Sequence, residues 1–375
     1  MSIDPKLLET VPLSDPRSES ASLRDEILAS LMRVVDSGSY ILGPEVAAFE
    51  KALAANIRVA EAVGVASGTD ALVLAMLGVG VNAGDEVITV SHTAGPTVAA
   101  IRMIGAIPVL IDVEECTYCI DPNQIERAIG PRTRAIVVVH LYGHPANMAA
   151  INCIVSKHRI PIIEDCAQAQ GAMAGERQVG SLADIACFSF YPTKILAAIG
   201  DGGALVTNNI ALADRVRKLR TYGWSKPQYA ALENGRCSRL DEIQAAILSL
   251  KLQTLSSNLE RRRNVAERYC ANLAGLPLIL PSERAGCKHS YHLFVIRAEA
   301  RDALEAHLRA NGIGTGRHYP WPVHLQPGIA SFARVPGPLA VTERIAREIL
   351  SLPMFATISD TQIDRVVDAV WKFYR

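Results

Sequence analysis

Lys194 stands in a setting that suits covalent chemistry at a carbonyl carbon. The apolar run Phe188–Thr193 precedes it, and Gly200–Gly203 follows a few residues later. A partly desolvated amine near a cationic ring has a lowered pKa, and the neutral amine can form a Schiff base. The glycines let backbone pack closely beside that amine. Most lysines are solvated at the surface, so this interpretation depends on the surrounding residues.

A second segment, Ile163–Gln168, ends in side chains that could hold an aromatic ring. Asp165 could pair with a protonated pyridine nitrogen, which keeps the ring cationic and able to accept electrons. Glu164 would point to the other side of the strand, so Asp165 is preferred. Gln168 could donate a hydrogen bond to a phenolic oxygen of the ring. The competing interpretation of Asp165 is a helix cap after a strand.

A third segment, Ser67-Gly68-Thr69, is a small-residue turn that opens the helical run Asp70–Leu77. Free backbone N–H groups at such a turn, together with the helix dipole, suit a phosphate group. Taken alone, ordinary N-capping by Ser67 or Thr69 explains the turn better. Ser189 could add a hydroxyl to a phosphate site. The three signals on successive strand ends are more specific together than any one alone.

The elements that must position these residues are seven short apolar runs alternating with helical stretches. Continuous apolarity predicts strands buried on both faces of a mainly parallel sheet, in an α/β fold. Ligands gather beyond the carboxyl ends of such strands. The runs are Val63–Ala66, Glu86–Val90, Ile107–Asp112, Ala135–Leu141, Ile160–Asp165, Ile185–Phe190 and Gly203–Thr207.

The rest of the chain predicts a second, smaller unit. We expect a large domain over residues 1–250, including N-terminal helices, and an α+β domain over 251–375. The predicted elements outside the sheet are helices at Ser22–Val35 and Glu45–Asn56, a long helix at Asp241–Leu273, a strand at Tyr291–Arg297, a helix at Arg301–Asn311, a loop at His318–Gln326 and two final helices.

Composition excludes several classes of partner. The 375 residues carry 38 basic and 38 acidic side chains, so no net charge favours nucleic acid or an anionic membrane. Residues 1–10 lack the apolar core of a secretion signal, and the dispersed cysteines suit a reducing compartment, so we expect a cytoplasmic protein. Cys116 and Cys119 have zinc-ligand spacing without a second pair, so no metal is expected.

The chain resembles the DegT/DnrJ/StrS family of pyridoxal 5′-phosphate (PLP)-dependent nucleotide-sugar aminotransferases, which are fold-type-I enzymes. The resemblance covers nearly the whole chain and implies an aspartate aminotransferase-like, three-layer large domain. The matching segments are Tyr40–Pro44, Ala66–Leu72, Gly84–Ile88, Val139–Gly143, Ile163–Gln168, Phe188–Lys194, Gly200–Gly203, Ser238–Ala246, His318–Pro320 and Leu350–Pro353.

The resemblance also implies site roles and a homodimer with shared active sites. Lys194 would carry PLP and move the proton, and Arg239 would reach the partner's substrate. The residues implied to hold PLP are Gly68, Thr69 and Ser189 at the phosphate, Asp165 at the pyridinium, Gln168 at the phenolic oxygen and Ala167 on a ring face; those implied to line the sugar pocket are His318, Tyr319 and His324.

Three positions depart from the family pattern. Ala94 occupies the position where the family places an aromatic ring over PLP, and we hypothesise that His92 covers that face instead. Cys237 replaces an Asn that reaches the partner's phosphate, which puts that contact in doubt. Ile195 replaces an Asn after the lysine and makes the site more apolar.

The implied reaction moves an amino group from an amino acid, by family expectation L-glutamate, to a keto-deoxysugar linked to a nucleotide diphosphate. Such reactions supply deoxyamino sugars for lipopolysaccharide O-antigens or antibiotics. The alternatives are a cyclitol or antibiotic-precursor aminotransferase and a PLP-binding regulatory protein with little turnover. The related sugar dehydratases replace the lysine, and Gly78-Val-Gly80 lacks the third glycine of a nicotinamide-binding fingerprint.

Overall fold

Seven strands form the central sheet of the computed structural model, which describes residues 10–375. The predicted absence of a secretion signal falls largely on residues 1–9, outside the described residues. The strands of this sheet and of three smaller sheets are β1 (Glu61–Val65), β2 (Glu86–Val90), β3 (Ile107–Ile111), β4 (Thr133–Val139), β5 (Ile162–Asp165), β6 (Met173–Ala174), β7 (Arg177–Gln178), β8 (Ile185–Ser189), β9 (Gly203–Thr207), β10 (Trp224–Lys226), β11 (Tyr229–Ala230), β12 (Leu278–Ile279), β13 (Cys287–Lys288), β14 (Phe294–Ala298) and β15 (Ile349–Leu352).

Helices cover the sheet and build the second unit. They are α1 (Pro16–Ala21), α2 (Arg24–Ser37), α3 (Pro44–Ile57), α4 (Gly68–Gly78), α5 (Gly95–Met103), α6 (Ile125–Ala128), α7 (Met148–Val155), α8 (Ile210–Leu219), α9 (Glu242–Gln253), α10 (Leu255–Leu273), α11 (Arg301–Ala310), α12 (Pro327–Ala330), α13 (Ala340–Glu348) and α14 (Asp360–Tyr374). None of the helices within 10–375 is long and apolar enough to cross a bilayer.

The central sheet has the strand order β1-β9-β8-β5-β4-β2-β3. Strands β8, β5, β4, β2 and β3 are parallel, and β9 runs antiparallel to both of its neighbours. All seven predicted strands are therefore confirmed in one mainly parallel sheet. The carboxyl ends of β1, β2, β4, β5 and β8 meet at the same edge.

Alternate residues of each strand enter two different cores, which makes three layers. Val137 and Ile163 pack with the apolar residues of α4 and α8. Val138 and Ile162, one position along, pack on the opposite face with α6 and α7. Because both faces are covered, the strands read as continuous apolar runs.

The predicted long helix over Asp241–Leu273 is two helices. Thr254 departs from helical geometry, with φ −98° and ψ 1°, and separates α9 from α10. Helix α9 packs against α2 and α3, beside the central sheet. The proposed domain boundary near residue 250 thus falls within α9.

The second unit is built on the antiparallel sheet β12-β14-β15. Phe294 and Ile296 pack with apolar residues of α10, α11 and α14 on one face. Leu293 and Val295 enter the core that underlies the central sheet. The second sheet therefore lies directly against the large unit and can contribute residues to the edge where the predicted site lies.

Glu164 is a fully buried carboxylate beside the predicted site. It accepts hydrogen bonds from the backbone N–H groups of Gly180 (2.9 Å), Leu182 (2.8 Å) and Ala183 (3.0 Å). The Nε2 atom of His140 lies 3.0 Å from it. These bonds attach the loop before β8 to β5, and they place Glu164 on the face opposite Asp165, as predicted.

The same pair belongs to a buried group, His140, Glu164 and Cys166, whose ligand atoms lie within 4.8 Å of one another. Nδ1 of His140 accepts from the Ala146 N–H at 3.0 Å, so Nε2 carries the proton and donates to Glu164. The atoms of His140 and Glu164 that could bind a metal are thus already engaged in hydrogen bonds. The cluster is structural.

We expect Glu164→Gln to destabilise the fold by about 2–4 kcal/mol, because an amide N–H₂ would face backbone donors and leave them unpaired. Urea unfolding measures the change. The matched control is Glu176→Gln, at an exposed residue in the turn between β6 and β7, which should leave the midpoint unchanged. Equal midpoints for the two variants would contradict the role given to Glu164.

Candidate active site

A cavity of about 420 Å³ opens at the carboxyl edge of the central sheet. Its walls come from the ends of β1, β5 and β8, the start of α5, and the segments before β14 and before α12. It brings together most of the predicted site residues, which are Gly68, Thr69, Asp165, Ala167, Gln168, Ser189, Lys194, His318 and Tyr319.

The turn from β1 into α4 forms one end of the cavity. Ser67 caps the helix, and Gly68 and Thr69 occupy its first turn, where backbone N–H groups have no partner within the helix. A Cβ atom at Gly68 would lie 2.6 Å from the Cβ of Ser189, and one at Gly203 would lie 2.4 Å from the carbonyl oxygen of Ser67. Only glycine permits this close approach, which leaves a cradle of N–H groups.

Asp165 ends β5 deep in the cavity and is held from two sides. Its carboxylate accepts from the Thr97 hydroxyl at 2.9 Å and from the Ala167 N–H at 3.1 Å. Burial raises the pKa of Asp165, and these hydrogen bonds and the charge of Lys194 oppose that rise. A cation bound against this carboxylate would stabilise its ionised form further.

Lys194 lies on the loop after β8, and its backbone N–H donates to the Tyr191 carbonyl at 2.8 Å. Its side chain faces the cavity and is partly exposed there. Burial lowers the pKa of Lys194 to about 8, while the negative charge of Asp165 opposes the shift. Roughly a tenth of the amine is therefore neutral at pH 7, far more than for a solvated lysine, and the neutral amine is the form that Schiff-base chemistry requires.

Gln168 and Tyr319 form a connected wall. The Gln168 side-chain amide donates to the Tyr319 hydroxyl at 2.8 Å, and its oxygen accepts from the Tyr142 N–H at 2.8 Å. Burial raises the pKa of Tyr319 to about 12, so its hydroxyl stays protonated. The amide is thus fixed in orientation before any ligand enters.

His92 does not line the cavity, which corrects the hypothesis that it covers a ring face. Its ring is buried, and Nε2 lies 2.7 Å from the Tyr142 hydroxyl. That hydroxyl donates to the carbonyl oxygen of His318. His92 therefore supports the wall from behind, through Tyr142, while Ala94 lines the cavity itself.

His324 and Arg239 also lie outside the cavity. Nδ1 of His324 lies 2.6 Å from the Ser91 hydroxyl, and Nε2 lies 3.3 Å from Glu343, so the ring is held away from the opening. The predicted place of His324 in the sugar pocket is corrected accordingly. Arg239 donates to the Cys237 sulfur at 3.0 Å.

The site also contains residues that were not predicted from the sequence, among them Thr97, Tyr142 and His292. Thr97 bonds Asp165, Tyr142 holds the wall, and His292 lines the cavity between the two sheets. Thr97 lies at the start of a helix beside the sheet edge, a position that could have marked it. Tyr142 and His292 lie in segments whose spatial relation no local pattern indicates.

The chain is similar in sequence and in fold to known aminotransferases. The dTDP-3-amino-3,4,6-trideoxy-alpha-D-glucose transaminase of Streptomyces venezuelae is 46% identical over 96% of this chain and 95% of its own length. The crystal structure of S. venezuelae DesV gives a TM-score of 0.95 at 45% identity, covering 98% of this chain and 99% of that one. NtdA of Bacillus subtilis, solved with bound PMP, gives 0.91 at 30% identity, covering 97% and 85%.

The family assignment follows from the length of the match as well as from the site. A family model describing DegT/DnrJ/EryC1/StrS aminotransferases matches residues 21–371, which includes every residue that lines the cavity. The chain therefore belongs to the DegT/DnrJ/EryC1/StrS aminotransferase family.

Proposed function

We propose that this protein is a PLP-dependent aminotransferase that moves an amino group from L-glutamate to a keto-deoxysugar linked to a nucleotide diphosphate. The observation that carries the proposal is the juxtaposition of Lys194, buried Asp165 and the glycine cradle in one cavity. The acceptor class rests on the name of the S. venezuelae relative.

The residues present fit PLP at each of its polar groups. The N–H groups of Gly68 and Thr69 and the Ser189 hydroxyl would hold the phosphate. Asp165 would hold the pyridinium nitrogen, and Gln168 the phenolic oxygen. Ala167, which has a small side chain, would lie against the ring. When bound, PLP supplies a cationic ring that withdraws electrons from the carbon bearing the transferred nitrogen.

The chain itself supplies the proton transfer and its control. The neutral amine of Lys194 would take the proton from the α-carbon of the amino acid and later return a proton to the sugar carbon that receives nitrogen. Asp165 would keep the ring nitrogen protonated. The rigid contact between Gln168 and Tyr319 would keep the wall in place during both halves of the reaction.

We also propose a homodimer with shared active sites. Leu28, Met32 and Val35 lie at helical spacing on α2, and all three are exposed. Such an apolar stripe on a surface helix is typical of a protein interface. Arg239, which lies outside the cavity of its own chain, would enter the partner's cavity to bind a substrate carboxylate or phosphate.

The alternatives differ from this proposal in the acceptor or in turnover. A cyclitol aminotransferase would use the same residues. A PLP-binding regulatory protein would bind the cofactor without turning over, although the lowered pKa of Lys194 supports catalysis. The cytoplasmic location expected from the sequence stays a prediction.

Lys194→Ala should abolish both the visible absorbance band of lysine-bound PLP and amino transfer from L-glutamate to dTDP-linked keto-sugars, because no other amine occupies the described cavity walls. Lys251→Ala is the matched control, since burial also lowers the pKa of Lys251, which lies in a different groove. Retained turnover in Lys194→Ala would refute the assignment. If the wild-type protein takes an amino group from L-glutamate but passes it to no nucleotide-linked keto-sugar, the proposed class of acceptor is wrong.

The rate at which PLP attaches to the cofactor-free protein should rise with pH and level off above about 8, the pKa of Lys194. Below that pKa the amine is protonated and cannot attack. Stopped-flow absorbance at a series of pH values measures the rate. Asp165 raises the pKa of Lys194, so Asp165→Asn should move the midpoint lower. A rate that still rises at pH 10 would show that Lys194 has the unshifted pKa of an ordinary surface lysine.

Mixing the inactive variants Lys194→Ala and Arg239→Ala should restore about a quarter of wild-type activity. Random exchange makes half of the dimers mixed, and one of the two sites in each mixed dimer has both residues intact. Steady-state assay after subunit exchange measures this. Recovery of no activity, with exchange verified by native mass spectrometry, would place Arg239 in its own subunit's site.

A further inference from the structure

His292 is a buried histidine on the cavity wall with an unpartnered nitrogen. It precedes β14, keeps 7% of its surface exposed and lines the cavity together with Lys194 and His318. Its Nδ1 atom has no hydrogen-bond partner within residues 10–375. A buried polar nitrogen without a partner is costly, so the fold retains at this point a group that a ligand can satisfy.

The ring of His292 is uncharged. Burial lowers its pKa well below the ordinary value, and the positive charges of Lys194 and Arg262 act in the same direction. A neutral imidazole offers one N–H donor and one acceptor nitrogen. Since no bond holds Nδ1, a half-turn of the ring can exchange its nitrogen and carbon positions to suit the ligand.

His318 forms a second uncharged imidazole beside it. Burial and the charge of Lys194 lower the pKa of His318 to about 4, and its Nδ1 lies 2.8 Å from the Ser351 hydroxyl. The wall facing Lys194 thus presents neutral groups that both donate and accept. That combination matches a hydroxyl group, which also does both, whereas a carboxylate only accepts and would use only the donor half of each ring.

We propose that His292 is a specificity-determining residue that hydrogen-bonds a hydroxyl of the sugar acceptor. The inference rests on the proposed function, in which one of the two substrates presents a neutral, hydroxyl-bearing sugar ring attached to a nucleotide diphosphate. A carboxylate of the amino-acid donor can use only the N–H of a neutral histidine and gains no ionic attraction from it, so His292 should contribute less to binding the donor than to binding a hydroxyl. His292 therefore acts mainly in the second half of the reaction, in which the sugar accepts the amino group, and not in the first, in which the amino acid gives it up.

A neighbouring histidine supplies a matched control. His289 is also buried, with its pKa well below the ordinary value. However, its Nδ1 accepts from the Tyr291 N–H at 2.8 Å, and its ring stacks on Tyr291 at 4.1 Å. It lies behind the wall, beside a separate small cavity. Its role is structural, and the two histidines can be compared with the same substitution.

The test is a comparison of His292→Phe with His289→Phe in the PLP-loaded enzyme. Phenylalanine keeps the ring shape and removes both nitrogens. His292→Phe should raise KM for the dTDP-linked keto-sugar roughly tenfold. It should leave the KM for L-glutamate unchanged and should not lower the thermal midpoint of the free protein, since Nδ1 of His292 has no partner to lose. His289→Phe should lower the thermal midpoint, because a backbone N–H loses its acceptor, and leave both KM values unchanged.

A second measurement does not depend on turnover. A dTDP-linked amino-deoxysugar should raise the thermal midpoint of the wild-type protein and of His289→Phe, and raise that of His292→Phe less. An unchanged sugar KM in His292→Phe, or an equal rise in both KM values, would overturn the proposal for His292. Failure of the wild-type protein to aminate any keto-sugar would instead overturn the proposed function.

Discussion

Burial shifts the pKa values of two charged groups in opposite directions, and these shifts govern the site: the pKa of Asp165 rises and that of Lys194 falls. Burial disfavours the carboxylate of Asp165 and the ammonium of Lys194 alike, and each group moderates the shift of the other. The carboxylate is kept ready for a cation while the amine remains partly neutral. Thr97 and the Ala167 N–H hold the carboxylate in place, so the balance depends on geometry fixed by the sheet.

Strand β5 serves both the fold and the site because successive side chains leave it on opposite faces. Glu164 binds the loop that leads into β8, which in turn delivers Ser189 and the Lys194 loop. Asp165 points the other way, into the cavity. The position of the amine relative to the carboxylate is therefore set partly by a buried acid that does not line the cavity.

Much of the fold and part of the site could be predicted from the sequence. The seven strands were recognisable because strands buried on both faces are apolar throughout, and the rule for strand ends led to Asp165 and Lys194. Contacts between distant segments were not predictable. Thr97 meets Asp165 across 68 residues, and His92 turns away from the cavity because Tyr142 binds it. The break at Thr254 interrupts a helical pattern that looks continuous in the sequence.

The two bonds that join Gln168 to Tyr319 and Tyr142 to His318 connect the central sheet to a segment contributed by the second unit. Swinging that segment outward would exchange both for hydrogen bonds to water, at a net cost of about 0.5–1.5 kcal/mol for each bond. The pocket is consequently preorganised. Substrates meet a surface already ordered, and little of their binding energy is lost in fixing the protein's own side chains.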